Sequence, residues 1–226
     1  YGFDQLITAR IGASDFLLGK LNDLPLPNLV SLTILGKWLF PNSYANRATA
    51  ATYYPDIFLN RLRAEIETGG PTFIAMHLAA AHYPYYTANT RQPPPNMQDS
   101  EMMFWYYNEG IRTLDQMFGA VLSILSEKDL LNNALVVVLS DHGEALRQPR
   151  DRLLDPADSA DYGATRQIEV PNLGHGTSVL SPVQYQVLLA TRRYGTSAPQ
   201  SWPTTGKYNV PVSLEDIAPS ILDALD

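Results

Sequence analysis

Residues 134–140, Ala-Leu-Val-Val-Val-Leu-Ser, are apolar and β-branched without alternation, the pattern of a strand covered on both faces in a parallel sheet. Residues 71–78, Pro-Thr-Phe-Ile-Ala-Met-His-Leu, form a second apolar run with a proline at its head, which suits the first position of a buried strand. Between the two, Met103, Tyr107, Ile111, Leu114, Met117, Phe118, Val121, Leu122 and Leu125 recur at helical spacing within residues 101–127, so one long amphipathic helix is predicted there. Strand, helix and strand in that order make a right-handed βαβ crossover. Residues 185–190, Tyr-Gln-Val-Leu-Leu-Ala, read as a third strand, and Ser213 opens a last helix with Glu215 and Asp216 in its first turn.

The remaining sequence is less regular. Residues 84–99 contain Pro93-Pro94-Pro95 and read as a loop, and residues 145–173 mix Arg147, Arg150 and Arg152 with Asp151, Asp155, Asp158 and Asp161. The first 70 residues read mostly helical, with Tyr54 to Thr68 the clearest stretch and a Pro- and Asn-broken segment before it. No internal repeat is present. The fold class expected is α/β, with residues 1–226 as a single domain.

Composition narrows the function classes. In 226 residues, 45% are hydrophobic and 17% charged, an ordinary globular mix with too much apolar content for disorder. A net charge of -7 and the lack of a Lys or Arg run argue against a nucleic-acid partner. No stretch reaches the roughly 20 apolar residues of a membrane span. The opening Tyr-Gly-Phe-Asp lacks the pattern of a secretory leader. With no cysteine, thiolate chemistry and disulfides are excluded from these residues.

All four histidines stand beside strand ends or glycines: His77 and His82 after the first run, His142 past the second, and His175 between Gly174 and Gly176. In an open parallel sheet, side chains converge on ligands at the carboxyl ends of the strands. Asp141 and His142 are adjacent, so on a regular strand they would face opposite ways, and both reach one ion only if the chain turns, which Gly143 permits. A carboxylate beside an imidazole suits zinc or calcium first, with manganese or magnesium as alternatives. The plainer alternative has Asp141 capping a following helix and His142 bonding locally. His77 is read equally as a buried structural histidine. Glu144 is expected in the first turn of a helix, where its charge meets the dipole. The arginines of residues 145–173 are either a solvated loop or an anion clamp. Phe104-Trp105-Tyr106-Tyr107 reads as helix packing, and Tyr83-Pro84-Tyr85-Tyr86 as a pocket mouth.

Asp141-His142-Gly143-Glu144 after a Val-rich strand, preceded by a helix with Leu114-Asp115 and the turn Leu130-Leu131-Asn132-Asn133, resembles the sulfatase branch of the alkaline phosphatase superfamily. Further stretches are similar to it in the same order: Met76-His77-Leu78 through Ala81-His82-Tyr83-Pro84-Tyr85, then Gly174-His175-Gly176-Thr177-Ser178, then Val212-Ser213-Leu214-Glu215-Asp216-Ile217-Ala218-Pro219. The opening Tyr1-Gly2-Phe3-Asp4 is similar to an element that follows the nucleophile in this family, so the resemblance covers nearly the whole chain. It implies a three-layer αβα fold with a mostly parallel central sheet, Asp141 and His142 as metal ligands, and His82 and His175 as groups that bind the substrate oxyanion or protonate the leaving oxygen. The spacing of His77 to His82 resembles that of the membrane-anchored phosphoethanolamine transferases, which makes His77 a substrate-binding candidate.

The implied substrate is a sulfate or phosphate ester, on a lipid or a glycan among other carriers, and the implied setting is periplasmic or otherwise extracytoplasmic. The implied mechanism is covalent. The family's Thr, Ser or formylglycine nucleophile and first acidic ligands precede the Gly-Phe-Asp element, which here begins at residue 2. Asp15 and Asp23 stand in no matching motif. The chain is therefore expected to be the C-terminal part of such an enzyme, inactive alone and weak in metal retention. The alternative reading is a non-catalytic sulfatase-like domain that binds lipid or protein and regulates. An unrelated α/β protein would need coincidence at four places.

Overall fold

The computed structural model describes residues 2–8, 11–18, 29–30, 33–47, 52–148, 151, 173–176, 181–195, 206–208 and 210–223. Of the residues singled out above, Tyr1, Asp23, Arg150, Arg152, Asp155, Asp158, Asp161, Thr177 and Ser178 lie outside these. The chain divides into two compact units, Tyr1–Leu130 and Leu131–Asp226.

In chain order the first unit holds helices α1 (Ala13–Leu18), α2 (Ile34–Leu39) and α3 (Pro41–Ala45), strands β1 (Asn46–Arg47) and β2 (Thr52–Tyr53), and helices α4 (Pro55–Glu65) and α5 (Asp99–Glu127). Helix α5 has 29 residues and begins at a capping box, in which Gln98 and Glu101 satisfy each other's backbone donors. Its buried face carries Thr113, Met117, Val121, Ile124 and Leu125, a helical recurrence in which each large apolar side chain contributes roughly 1.5–3 kcal/mol when fully buried. The predicted stripe is shifted: Ile111 is 39% exposed. The cause is the chain crossing the helix at Gly110, where a Cβ would lie 2.7 Å from the Ala80 carbonyl oxygen, so the face of Gly110 and Thr113 is the covered one.

The segment that crosses there carries His82 and is tied to α5 at several points. Tyr85 is buried and meets the Tyr107 ring edge-on at 5.4 Å. Thr87 is buried, with its Oγ1 3.4 Å from Thr113 Oγ1. Glu109, also buried, accepts from the Arg91 backbone N–H at 3.2 Å and from the Arg91 and Arg112 guanidinium groups. Residues 84–99 are thus irregular, as expected, yet fastened. Asp15 has a structural role of its own: its carboxylate accepts from the backbone of Gly12, Asn42 and Ser43 and from the Ser43 hydroxyl, joining α1 to the start of α3. Burial alone would raise its pKa, and these bonds together hold it below the ordinary value.

Residues 71–79 differ from the predicted strand. Exposure alternates strand-like, with Met76 and Leu78 half-buried and His77 and Ala79 exposed, but no backbone ladder pairs them among the described residues. A strand is defined by its partner's N–H and C=O groups, and an apolar run does not supply them.

The second unit holds β3 (Ala134–Leu139), β4 (Ala145–Leu146), β5 (Leu173–Gly174), helix α6 (Pro182–Tyr185), β6 (Leu189–Tyr194), a single 3-10 turn (Leu214–Asp216) and α7 (Ile217–Asp223). Strand β3 forms as predicted, but it pairs antiparallel with β6, from Ala134 opposite Tyr194 to Leu139 opposite Leu189. The third strand is displaced from 185–190 because Pro182 starts a helical turn with its fixed φ, and the ladder begins only at Leu189. Strand β6, Leu-Ala-Thr-Arg-Arg-Tyr, is half polar, with Ala190, Thr191 and Arg192 exposed and the other three half-buried, so it lacks the continuous burial of a strand covered on both faces. Three two-stranded antiparallel sheets are therefore seen among the described residues, where a mostly parallel central sheet and a βαβ crossover were expected.

Other expectations hold. Ser213 caps the last helical segment, its hydroxyl accepting from Glu215 N–H while Asp216 accepts from Ser213 N–H. Helix α4 falls within the predicted 54–68 stretch. Asp151 departs from a solvated-loop reading: it is buried and accepts from the backbone of Leu146 and Gln148. Among the described residues no helix is long and apolar enough to cross a membrane.

Candidate metal centre

Strand β3 ends at Leu139, and Ser140 continues the ladder by other means. Its N–H donates to the Leu188 carbonyl at 3.1 Å, and its hydroxyl accepts from Leu188 N–H at 2.9 Å. The next four residues, Asp141 to Glu144, connect β3 to β4 without regular structure. Gly143 sits at the tightest point. Its N–H donates to the Gln184 carbonyl at 2.9 Å, and a Cβ there would lie 2.1 Å from the Val183 oxygen and 2.8 Å from the Gln186 oxygen. Glycine is needed because the backbone of α6 passes within contact distance, not because a left-handed turn is made.

This path brings the Asp141 and His142 side chains together. Asp141 Oδ1 lies 3.7 Å from His142 Nε2, a separation that two ligands each about 2.0–2.2 Å from one ion can have. The same oxygen accepts from the His142 backbone N–H at 3.0 Å, which fixes the aspartate rotamer. His142 Nδ1 is 2.9 Å from the Gly143 carbonyl oxygen. A carbonyl can only accept, so Nδ1 carries the proton and, in the neutral ring, Nε2 carries the lone pair. Such a bond at the far nitrogen is the usual way a ligating imidazole is oriented. Asp141 is mostly exposed at 77% of its side chain and His142 half-buried.

His175 is held between Gly174 and Gly176, both with positive φ at 83° and 66°, a backbone path open to glycine and strained for other residues. The two turns lay the His175 ring against that of His142, with centroids 3.7 Å apart and planes inclined by 24°. Strand β5 pairs with β4, Gly174 opposite Ala145, and so carries His175 beside the 141–144 segment. His175 Nδ1 lies 2.8 Å from Glu144 Oε2. His142, Glu144 and His175 each offer a ligand atom, all within 4.8 Å of one another, so the donor set of two imidazoles and a carboxylate fits a divalent cation.

Glu144 is the residue that sequence reasoning missed. Strand β4, not a helix, directly follows it, and it pairs with His175. A signal was present, since residues two apart on extended chain share a face, and His142 and Glu144 are two apart. His77 and His82 belong to the first unit. His77 is exposed within 71–79. His82 is exposed, with its N–H bonded to the Ala79 carbonyl and its Nδ1 2.7 Å from the Tyr83 carbonyl oxygen, so its Nδ1 is again the protonated nitrogen. Four residues on, burial and a bond to Tyr106 push the Tyr86 phenol up to about 12, so it remains protonated at neutral pH. Arg147 is exposed with φ 61°.

A family model described as Sulfatase matches residues 1–226. No curated protein and no solved structure matches the chain.

Proposed function

The chain belongs to the sulfatase family, which implies an alkaline phosphatase-like α/β fold and sulfate esters as the substrate class, and from that premise we propose that it is part of a metal-dependent sulfatase-like hydrolase or transferase. Residues 1–226 are assigned to an alkaline phosphatase-like α/β domain, with the antiparallel pairing of β3 and β6 standing where the resemblance implied a parallel sheet. Asp141 and His142 hold the ion, zinc or calcium in the first place. His175 and His82 bind the ester's charged oxygens or protonate its leaving oxygen, and His77 is a further substrate contact. The observation that carries this reading is the 3.7 Å approach of Asp141 Oδ1 to His142 Nε2, with Nδ1 of that ring bonded to the Gly143 carbonyl.

When bound, the ion offsets the charge that develops on the transferred group. Asp141 supplies a fixed negative oxygen and His142 a neutral nitrogen of fixed tautomer. His175 and His82 each hold a proton on Nδ1 against a protein acceptor, so their exchangeable chemistry is at Nε2. The group that attacks the ester through a covalent intermediate has no counterpart in the motifs of this chain. Activity of residues 1–226 alone is therefore expected to be absent, and zinc affinity micromolar or weaker, because affinity depends on a full ligand set.

Zinc titration of the chain by calorimetry tests the ligand assignment. One saturable site is expected, weakened more than about tenfold by either Asp141→Ala or His142→Ala. No saturable site, or affinity unmoved by both changes, would overturn it. The second reading, a non-catalytic domain that binds and regulates, is separated by assaying the product of the whole reading frame on aryl sulfate and phosphodiester substrates. Turnover abolished by Asp141→Asn supports the enzyme, and no turnover under any divalent metal supports the binder.

A further inference from the structure

We infer that Glu144 is a positioning residue for His175, setting which ring nitrogen faces the ester chemistry; this rests on the role given to His175 above. Three observations carry it. The first is the Nδ1 to Oε2 distance of 2.8 Å between His175 and Glu144, the range of a charge-assisted bond. The second is exposure: the Glu144 side chain is 11% exposed and that of His175 35%, so the carboxylate end is the sheltered one and the imidazole reaches solvent. The third is backbone design. Glu144 directly precedes β4, His175 directly follows β5, and the two strands pair at Ala145 and Gly174, so the ladder itself brings the two side chains together.

An ionised carboxylate accepts and does not donate, so the bond requires the proton of a neutral His175 to sit on Nδ1. Nε2 then carries the lone pair. The stacking of the His142 ring at 3.7 Å further limits rotation of His175. Without Glu144 the ring would still stand between its two glycines, but both its tautomer and its rotation would be released. A ring so released would no longer keep Nε2 turned toward the ester, and the cost of that falls on turnover and not on binding of the ion. Glu144 is also near enough to be a metal ligand, and the test must separate the two roles.

The measurement is the nitrogen chemical shifts of the His175 ring in the whole chain labelled with nitrogen-15 histidine, assigned by His175→Gln, together with zinc affinity of the same samples. In the parent chain, His175 Nδ1 is expected in the protonated range and Nε2 in the unprotonated range. Glu144→Ala should lose that pattern and give a tautomer mixture, while Glu144→Gln, whose amide oxygen accepts the same bond, should restore it. Zinc affinity should change by less than about tenfold in both variants, the lower bound of effects seen when groups outside the ligand set are altered. An Nε2-protonated His175 in the parent chain overturns the inference even if neither variant folds. A tautomer unmoved by Glu144→Ala overturns it as well, and so does a zinc loss beyond about tenfold in both variants, which would make Glu144 a ligand. A parent chain that shows the expected tautomer but no zinc site supports this inference while sinking the ligand assignment on Asp141 and His142.

Discussion

Replacing Glu109 by glutamine tests what fastens the His82 segment to α5. The Arg91 guanidinium bonded to Glu109, opposed by burial and reinforced by Arg112, holds the carboxyl at about 2 against an ordinary 4.5. Integrated over pH, that difference corresponds to about 3 kcal/mol of folding stability at neutral pH. The Arg91 side chain is 63% exposed, and solvent screening brings the expected value nearer about 2 kcal/mol. Because the folded pKa is depressed, the contribution is fully present above about 4.5 and is lost as pH falls through about 2. Glu109→Gln keeps the shape of the side chain and removes the charge. The urea midpoint, followed by helical circular dichroism, should fall by about 1 M at neutral pH. The gap between parent and variant should shrink to less than half by about pH 3 and close as the parent's Glu109 is protonated. A gap as wide at about pH 3 as at neutrality would show that the charge is not what fixes the segment.

Two glycine substitutions probe the close approaches directly. Gly143→Ala would drive a Cβ to 2.1 Å from the Val183 oxygen and 2.8 Å from the Gln186 oxygen. Both are backbone atoms that cannot swing aside, so a loss of about 3 kcal/mol or more is expected in thermal unfolding, with zinc affinity weakened; a variant that melts with the parent would contradict the packing of α6 on this turn. Gly110→Ala sets two effects against each other: alanine favours the helix by about 1 kcal/mol, but its Cβ would meet the Ala80 oxygen at 2.7 Å. The clash should win by about 1 kcal/mol or more, with faster amide exchange at Tyr85 and Thr87, and net stabilisation would mean that the segment does not lie on Gly110.

How much could be read ahead of the structure depended on whether the information was local. The run of valines at 136–138, the periodicity of 101–127 and the Ser213 capping pattern act through their own residues, and each formed where expected. The buried stripe of α5 moved because its covering comes from residues 79–91, which the helix's own periodicity does not register. Pairing direction was not legible either: the valines that suit a parallel strand suit an antiparallel one when β6 lies alongside. The run at 71–78 has the composition of a strand without a described partner. At the candidate site, Asp141, His142 and His175 could be picked out by residue type and by neighbouring glycines, whereas Glu144, though inside the same motif, reads only as a charge at a helix start. Its role depends on β4 and β5 pairing across 28 intervening residues, from Ala145 to Gly174.

The crowding of polar contacts in residues 141–144 follows from a geometric constraint. Two side chains from adjacent residues reach one ion only if the backbone between them and the next element bends, and that bend must be held by a fixed contact elsewhere. Here the contact is α6, whose Gln184 carbonyl takes the Gly143 N–H and whose Val183 oxygen leaves no room for a Cβ. With Gly143 pinned, its own carbonyl is placed to accept from His142 Nδ1, so the residue that permits the bend also sets the tautomer of the histidine before it. Glu144 then leaves the bend on the way into β4 and meets the histidine delivered by β5. The four positions thus differ in what they supply. Asp141 gives an anionic oxygen, His142 a nitrogen of fixed tautomer, Gly143 a backbone contact that excludes any side chain, and Glu144 a carboxylate aimed at a second imidazole. The expected order of sensitivity follows. Position 143 should tolerate no larger residue at all, 141 and 142 should be lost with the ion, and 144 should be felt chiefly through His175.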